Sequence, residues 1–169
     1  MTEAAVGLGA NLGDRLRTLR AGLFGVGLPI LAVSSLYESA PVETDPLQPR
    51  YLNAVAILDV PAEMGPEAML SRLLQVEAVH GRVRRGAGKA PRTLDLDLLL
   101  FGTEQVDTPK LQLPHPGVAR RRFVLEPLLE VRPQARLADG SPLLDRLAEC
   151  RDQDVQQVEG RCWWWRISN

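Results

Sequence analysis

From Leu94 to Leu100 the chain reads Leu-Asp-Leu-Asp-Leu-Leu-Leu, an apolar run broken by acids at Asp95 and Asp97. Its length and leucine content suit a strand with at least one buried face. Successive strand side chains alternate between faces, so Asp95 and Asp97 share one face while Leu94, Leu96 and Leu98 share the other. Asp is depleted in strands, and like charges side by side destabilise a sheet. Either this face is a solvated edge, or a cation lies between the acids. Carboxylate oxygens are hard ligands of the kind Mg²⁺ takes, usually one or two carboxylates completed by substrate phosphates. The surrounding charge favours the second reading. Residues 82–92 hold Arg82, Arg84, Arg85, Lys89 and Arg92 with no acid, and Arg120, Arg121 and Arg122 follow downstream. In a chain whose 20 basic and 21 acidic residues nearly cancel, two such basic runs point to an anionic ligand rather than to a global field for nucleic acid or membrane.

Other classes are disfavoured on composition and spacing. With 169 residues, 45% of them hydrophobic, the chain has the size and make-up of one globular domain. Its two cysteines, Cys150 and Cys162, form no metal-binding spacing and suit a reduced, cytoplasmic setting. No apolar run nears the roughly 20 residues of a membrane span, and no secretory leader pattern opens the chain. Gly7-Leu8-Gly9-Ala10-Asn11-Leu12 puts leucine where a dinucleotide fingerprint needs its third glycine, so Gly7 and Gly9 read as strand-to-helix packing glycines. Gly86-Ala87-Gly88-Lys89 lacks the frame of a P-loop.

Periodicity orders the rest. Residues 4–9 read as a buried strand, and Asn11 can cap a helix whose apolar positions are Leu12, Leu16, Leu19, Leu23 and Val26. Residues 30–37 read as one strand, 39–50 as a loop with Pro41, Pro46 and Pro49, and 51–60 as a strand ended by Pro61. A helix from Pro66 to about residue 80 ends at Gly81. Residues 82–93 form a second loop, 94–101 the acidic strand, 118–130 a short helix, and a last helix starts near Ser141 as cap with Pro142 at its first position. This order predicts an α+β fold with a ferredoxin-like βαββαβ core, a mostly antiparallel sheet with helices on it in three α/β/α layers.

Among single residues, His115 is held between Pro114 and Pro116, and no Ser or Cys near either histidine has the setting of a covalent nucleophile. Direct group transfer, with cations doing the electrostatic work, is the implied chemistry. Tyr51 and Asn53 share a strand face, and an Asn amide offers donors and an acceptor to a flat heterocycle. The two long loops beside the site suggest lids. A ferredoxin-like RNA-binding module is the rival reading, but aromatics in the RNP1 pattern are missing.

Taken together, several blocks resemble the 6-hydroxymethyl-7,8-dihydropterin pyrophosphokinases of folate synthesis. They are Gly7 to Asp14, Ser34 to Pro41, Tyr51-Leu52-Asn53-Ala54, Glu77 with Gly81 to Arg84, Ala90 to Asp97, and Leu113 to Pro116 with Arg121 and Phe123. The resemblance implies transfer of the β,γ-pyrophosphate of ATP to a pterin hydroxymethyl group, with AMP released. It implies two Mg²⁺ ions on Asp95 and Asp97, with Arg82 and Arg92 joining them in catalysis. Glu77, Arg82, Arg84, Arg92, Lys110, His115 and Arg121 would serve ATP, while Ser39, Val42, Tyr51, Asn53 and Phe123 would hold the pterin. The partners implied are these small molecules, with no nucleic acid or membrane, for a cytoplasmic monomer built as a single domain over 1–169. Two departures stand out: Gly88 where the family usually has a basic residue, and a Trp163-Trp164-Trp165 tail that suits a docked terminal segment, an oligomer contact or, less well, a membrane-surface anchor.

Overall fold

The computed structural model describes residues 2–41, 47–80 and 93–165. Val42, Arg82, Arg84, Arg85, Gly88, Lys89 and Arg92, together with the Gly81 helix stop and most of the two expected lids, lie outside the described residues.

The first strand, β1 (Thr2–Ala10), is an interior strand, one in from the edge of the sheet. It pairs antiparallel with β4 (Tyr51–Val60) on one side and β5 (Asp95–Phe101) on the other. Beyond β4 lie β2 (Ile30–Val33) and β3 (Leu36–Ser39), and β8 (Val155–Glu159) closes the sheet outside β3. The order β5-β1-β4-β3-β8, antiparallel at every pairing, is that of the expected ferredoxin-like core with one added edge strand.

Two-residue alternation then sets the layers. Ala4, Val6, Leu8 and Ala10 of β1 join Leu52, Ala54, Ala56 and Leu58 of β4 and Leu96 and Leu98 of β5 in one core. The helices α1 (Arg15–Gly25), through Leu19 and Leu23, and α2 (Pro66–Val79), through Met69, Leu73 and Val76, cover it. Ala5, Val55, Ile57 and Leu99 face the opposite way, onto Val124, Leu125 and Leu128 of α3 (Arg122–Val131). The expected α/β/α sandwich is thus present. Just ahead of β5, a Cβ on Gly22 of α1 would stand 2.8 Å from both Leu94 methyls.

Four local expectations need correction. Asp14, not Asn11, caps α1, accepting from the Arg17 amide at 3.0 Å, because Gly13 (φ +62°) turns the chain between them. Asn11 is buried and donates instead toward the Pro49 carbonyl. The single strand expected over 30–37 is two, β2 and β3, because the serine pair intercepts the ladder. Ser34 Oγ accepts from the Val55 amide and donates to Ser35 O, while Ser35 turns its N–H and hydroxyl to Glu130. The helix expected over 118–130 is a 3₁₀ turn at Pro116–Ala119 followed by α3. Ser141 caps nothing; its hydroxyl donates to Asp139, and the last helix, α4 (Leu144–Leu147), begins later. A small hairpin of β6 (Val106–Asp107) and β7 (Gln112–Leu113), and β8 itself, were not legible in the periodicity.

The tail is docked. Trp163 is wholly buried, its indole N–H donating to Ser34 O at 2.8 Å, and Arg20 Nε donates to its carbonyl at 2.7 Å. Among the described residues no helix is long and apolar enough to cross a membrane.

Candidate active site

On the α3 side of the sheet, β1 carries Gly7 and Gly9 in place of side chains. Register puts Gly9 between Asn53 of β4 and Asp95 of β5, and Gly7 between Val55 and Asp97. Helix α3 begins only at Arg122, so this end of the sheet lies uncovered, and a cavity of about 230 Å³ opens there. Its floor is the glycine strand. Its walls include Asp95, Asp97, Ser39, Tyr51, Asn53, His115, Arg121 and Phe123. A Cβ on Gly9 would meet Asn53 Oδ1 at 3.7 Å and Asp95 Cβ at 3.8 Å, and one on Gly7 would meet Leu99, all atoms of neighbouring strands. These glycines therefore clear a floor; they do not pack strand against helix, as their spacing suggested.

The structure brings together every described residue expected around the pterin: Ser39, Tyr51, Asn53 and Phe123. The Asn53 amide is oriented by the protein. Its Nδ2 donates to Ser39 Oγ at 2.9 Å and toward Tyr37 O at 3.4 Å, which leaves Oδ1 on the side of the glycine floor. The Arg121 guanidinium carbon lies 6.0 Å from the centroid of the Phe123 ring, the range of a cation–π contact.

Asp95 and Asp97, both half-buried, face the same cavity as the alternation required. No group of three or more His, Cys, Asp or Glu side chains suited to a metal occurs among the described residues. Two carboxylates beside open space is the donor set that Mg²⁺ uses when substrate phosphates complete its shell, so the residues fit that ion and would not form a closed structural site.

A second cavity, about 430 Å³, lies between α2 and the β6–β7 hairpin, lined by Leu70, Leu74, Lys110 and Gln112 among others. Asp97 and His115 line both cavities. Burial and the Arg121 charge push the His115 pKa below its ordinary 6.5, against a weaker pull upward from Asp95, so the ring is neutral at neutral pH. Glu77, expected near the nucleotide, lines neither cavity. It is 1% exposed, and its Oε1 accepts from the Leu96 amide at 2.8 Å, fastening α2 to the strand between the two aspartates.

Two supporting groups escaped the sequence reading. Glu38 bridges Arg15 (2.9 Å) and Arg50 (3.1 Å), and Arg50 reaches Asp154, joining the ends of β3 and β4. Glu130 of α3 accepts from Ser35, Tyr37 and Arg161. Burial tends to raise the Glu130 pKa, but those bonds outweigh it and hold the carboxyl below its ordinary value. The same burial, with the Glu130 charge, drives Tyr37 upward and keeps its hydroxyl a donor.

These features define a ferredoxin-like α+β protein with a small-molecule site at one end of its sheet, walled by paired carboxylates. The family model described as 7,8-dihydro-6-hydroxymethylpterin-pyrophosphokinase (HPPK) matches residues 5–133, and the chain belongs to that family. The chain is 40% identical over 159 residues to the 2-amino-4-hydroxy-6-hydroxymethyldihydropteridine pyrophosphokinase of Pseudomonas aeruginosa, covering 92% of this chain and 96% of that protein. It is 35% identical over 164 residues to the protein of the same name from Methylorubrum extorquens, covering 94% of this chain and all (100%) of that one. The fold is similar, with a TM-score of 0.70 at 12% identity, to that of an HPPK-DHPS crystallised in complex with substrates. That match covers 88% of this chain, which spans only 43% of the solved one.

Proposed function

We propose that this chain transfers the β,γ-pyrophosphate of ATP to the hydroxymethyl oxygen of 6-hydroxymethyl-7,8-dihydropterin, giving AMP and the pterin diphosphate for folate synthesis. The observation that carries the reading is the meeting of two cavities at Asp97 and His115, one lined by Tyr51, Asn53 and Phe123 and one by Lys110 and Gln112. The pterin lies on the glycine floor between Tyr51 and Phe123, and the Asn53 Oδ1 accepts from its N–H edge. Ser39 and Val42 add contacts at that edge. ATP lies on the side of Lys110 and His115, with Arg121, Arg82, Arg84 and Arg92 supplying charge to its phosphates.

In the reaction the hydroxymethyl oxygen forms a bond to the β-phosphorus as the bond from that phosphorus to the α–β bridging oxygen breaks. The hydroxyl proton passes to the phosphate of the departing AMP, which leaves with the bridging oxygen. The chain's part is to hold the two reactants in line and keep water from competing for the phosphorus. Asp95 and Asp97 are the residues that would hold Mg²⁺, two ions in this reading; bound there, the metal neutralises charge gathering on the phosphoryl oxygens. Arg82 and Arg92 share that task, while Glu77 supports the aspartates through the Leu96 amide.

The working unit in this reading is a cytoplasmic monomer, a single domain over 1–169. Incubation with ATP, Mg²⁺ and 6-hydroxymethyl-7,8-dihydropterin, followed by ³¹P NMR, tests the reaction. AMP and a pterin diphosphate are expected in equal amounts, whereas ADP as the product would reject pyrophosphoryl transfer. Sedimentation of the purified protein checks the monomer.

A further inference from the structure

His115 stands just before the 3₁₀ turn Pro116–Ala119, and its backbone amide donates to Leu99 O at 2.9 Å, tying it to β5. Its side chain folds over that turn, and Nδ1 lies 2.9 Å from the Gly117 amide nitrogen. A backbone N–H can only donate, so Nδ1 must offer a lone pair. The neutral ring then carries its proton on Nε2, the nitrogen turned away from the turn. Gly117 leaves room for this approach. A Cβ there would stand 3.0 Å from Nδ1, 3.1 Å from Cε1 and 3.2 Å from Arg121 Cδ.

We propose that the Gly117 amide fixes His115 in the Nε2–H tautomer, so that the ring presents a donor, not a lone pair, to the phosphate chain. The opposite tautomer would repel an anion. Gly117 is thus a positioning residue, and its role rests on the reading of His115 as a phosphate contact. The only other histidine supplies an internal contrast. His80 Nδ1 lies 2.8 Å from the Val76 carbonyl oxygen, an acceptor, which demands the proton on Nδ1.

Long-range ¹H–¹⁵N correlation spectra of histidine-labelled protein without ATP, at about pH 8 where a ring of ordinary pKa is neutral, report the tautomers directly. The expected spectrum shows two neutral rings of opposite tautomer, with the Nε2–H set surviving in His80→Gln. His115 carrying its proton on Nδ1, or an even mixture, in the parent protein would overturn the proposal without any substitution at Gly117. In Gly117→Ala the His115 signals should move toward mixed tautomers, and KM for ATP should rise roughly ten-fold with a smaller change in kcat. An unchanged tautomer in that variant would remove Gly117 from the account. His115→Asn separates the two levels, since its Oδ1 can still accept from the Gly117 amide while the distal donor is gone. A KM for ATP unchanged in His115→Asn would reject the phosphate-contact reading, whatever the tautomer proves to be.

Discussion

Asp95 and Asp97 occupy strand positions that a sheet would fill more stably with neutral side chains, and across β1 their neighbours are glycines. In the proposed function the pair is there for what it binds. A different carboxylate serves the scaffold. Glu130 gathers charge-assisted bonds from Ser35, Tyr37 and Arg161, so Glu130→Ala should cost roughly 2–4 kcal/mol in urea unfolding at neutral pH. The sign of its pH dependence follows from its lowered pKa. A carboxyl depressed in the folded state adds stability above its unfolded value, and that stability is lost as pH falls through the folded value, below the ordinary 4.5. The gap between parent and variant should therefore close in that acid range; a gap constant down to the acid limit would mean that charge is not what Glu130 contributes. At this scale the acidic pair was legible in the sequence because period two fixes which face each residue takes. The same arithmetic puts Gly7 and Gly9 on one face of β1, but a missing side chain reads as packing until its neighbours are known. Glu130 was not legible, because its partners come from β3 and from the chain near Arg161.

Elements carry the next level of control. Gly22 of α1 faces Leu94, the residue just ahead of β5 and of Asp95. Gly22→Ala gains about 1 kcal/mol of helix propensity but forces a methyl against Leu94, an overpacking cost of ~1–3 kcal/mol. The expected outcome is a net loss of stability with a fall in kcat/KM, as the start of β5 shifts. Full activity at parental stability would show that β5 absorbs the methyl without moving the aspartates. The terminal segment is the other lever. Trp163→Ala removes a wholly buried indole and its bond to Ser34 O, and should cost ~3–5 kcal/mol by denaturant titration. Strands β1, β4 and β5 and helix α2 could be read from apolar spacing alone. The β2–β3 break could not, since Ser34 and Ser35 act through side-chain bonds to β4 and α3. Strand β8 was hidden for a related reason: of Val155–Glu159 only Val155 is buried, so no alternation marks it.

At the scale of the molecule, the sheet has two working ends on one face. Toward α3 it is apolar and closed by Val124, Leu125 and Leu128; beyond the start of α3 it is bare glycine flanked by carboxylates. The antiparallel pairing of β1 with β5 sets Asp95 beside Gly9 and Asp97 beside Gly7. In the proposed function this acidic pair drives pyrophosphoryl transfer. The most direct measurement is the rate of AMP release from ATP, Mg²⁺ and 6-hydroxymethyl-7,8-dihydropterin by Asp95→Ala and Asp97→Ala. Each should be slower than the parent by at least ~10²-fold, with an unchanged far-UV circular dichroism spectrum. Near-parental turnover in either variant would contradict the claim.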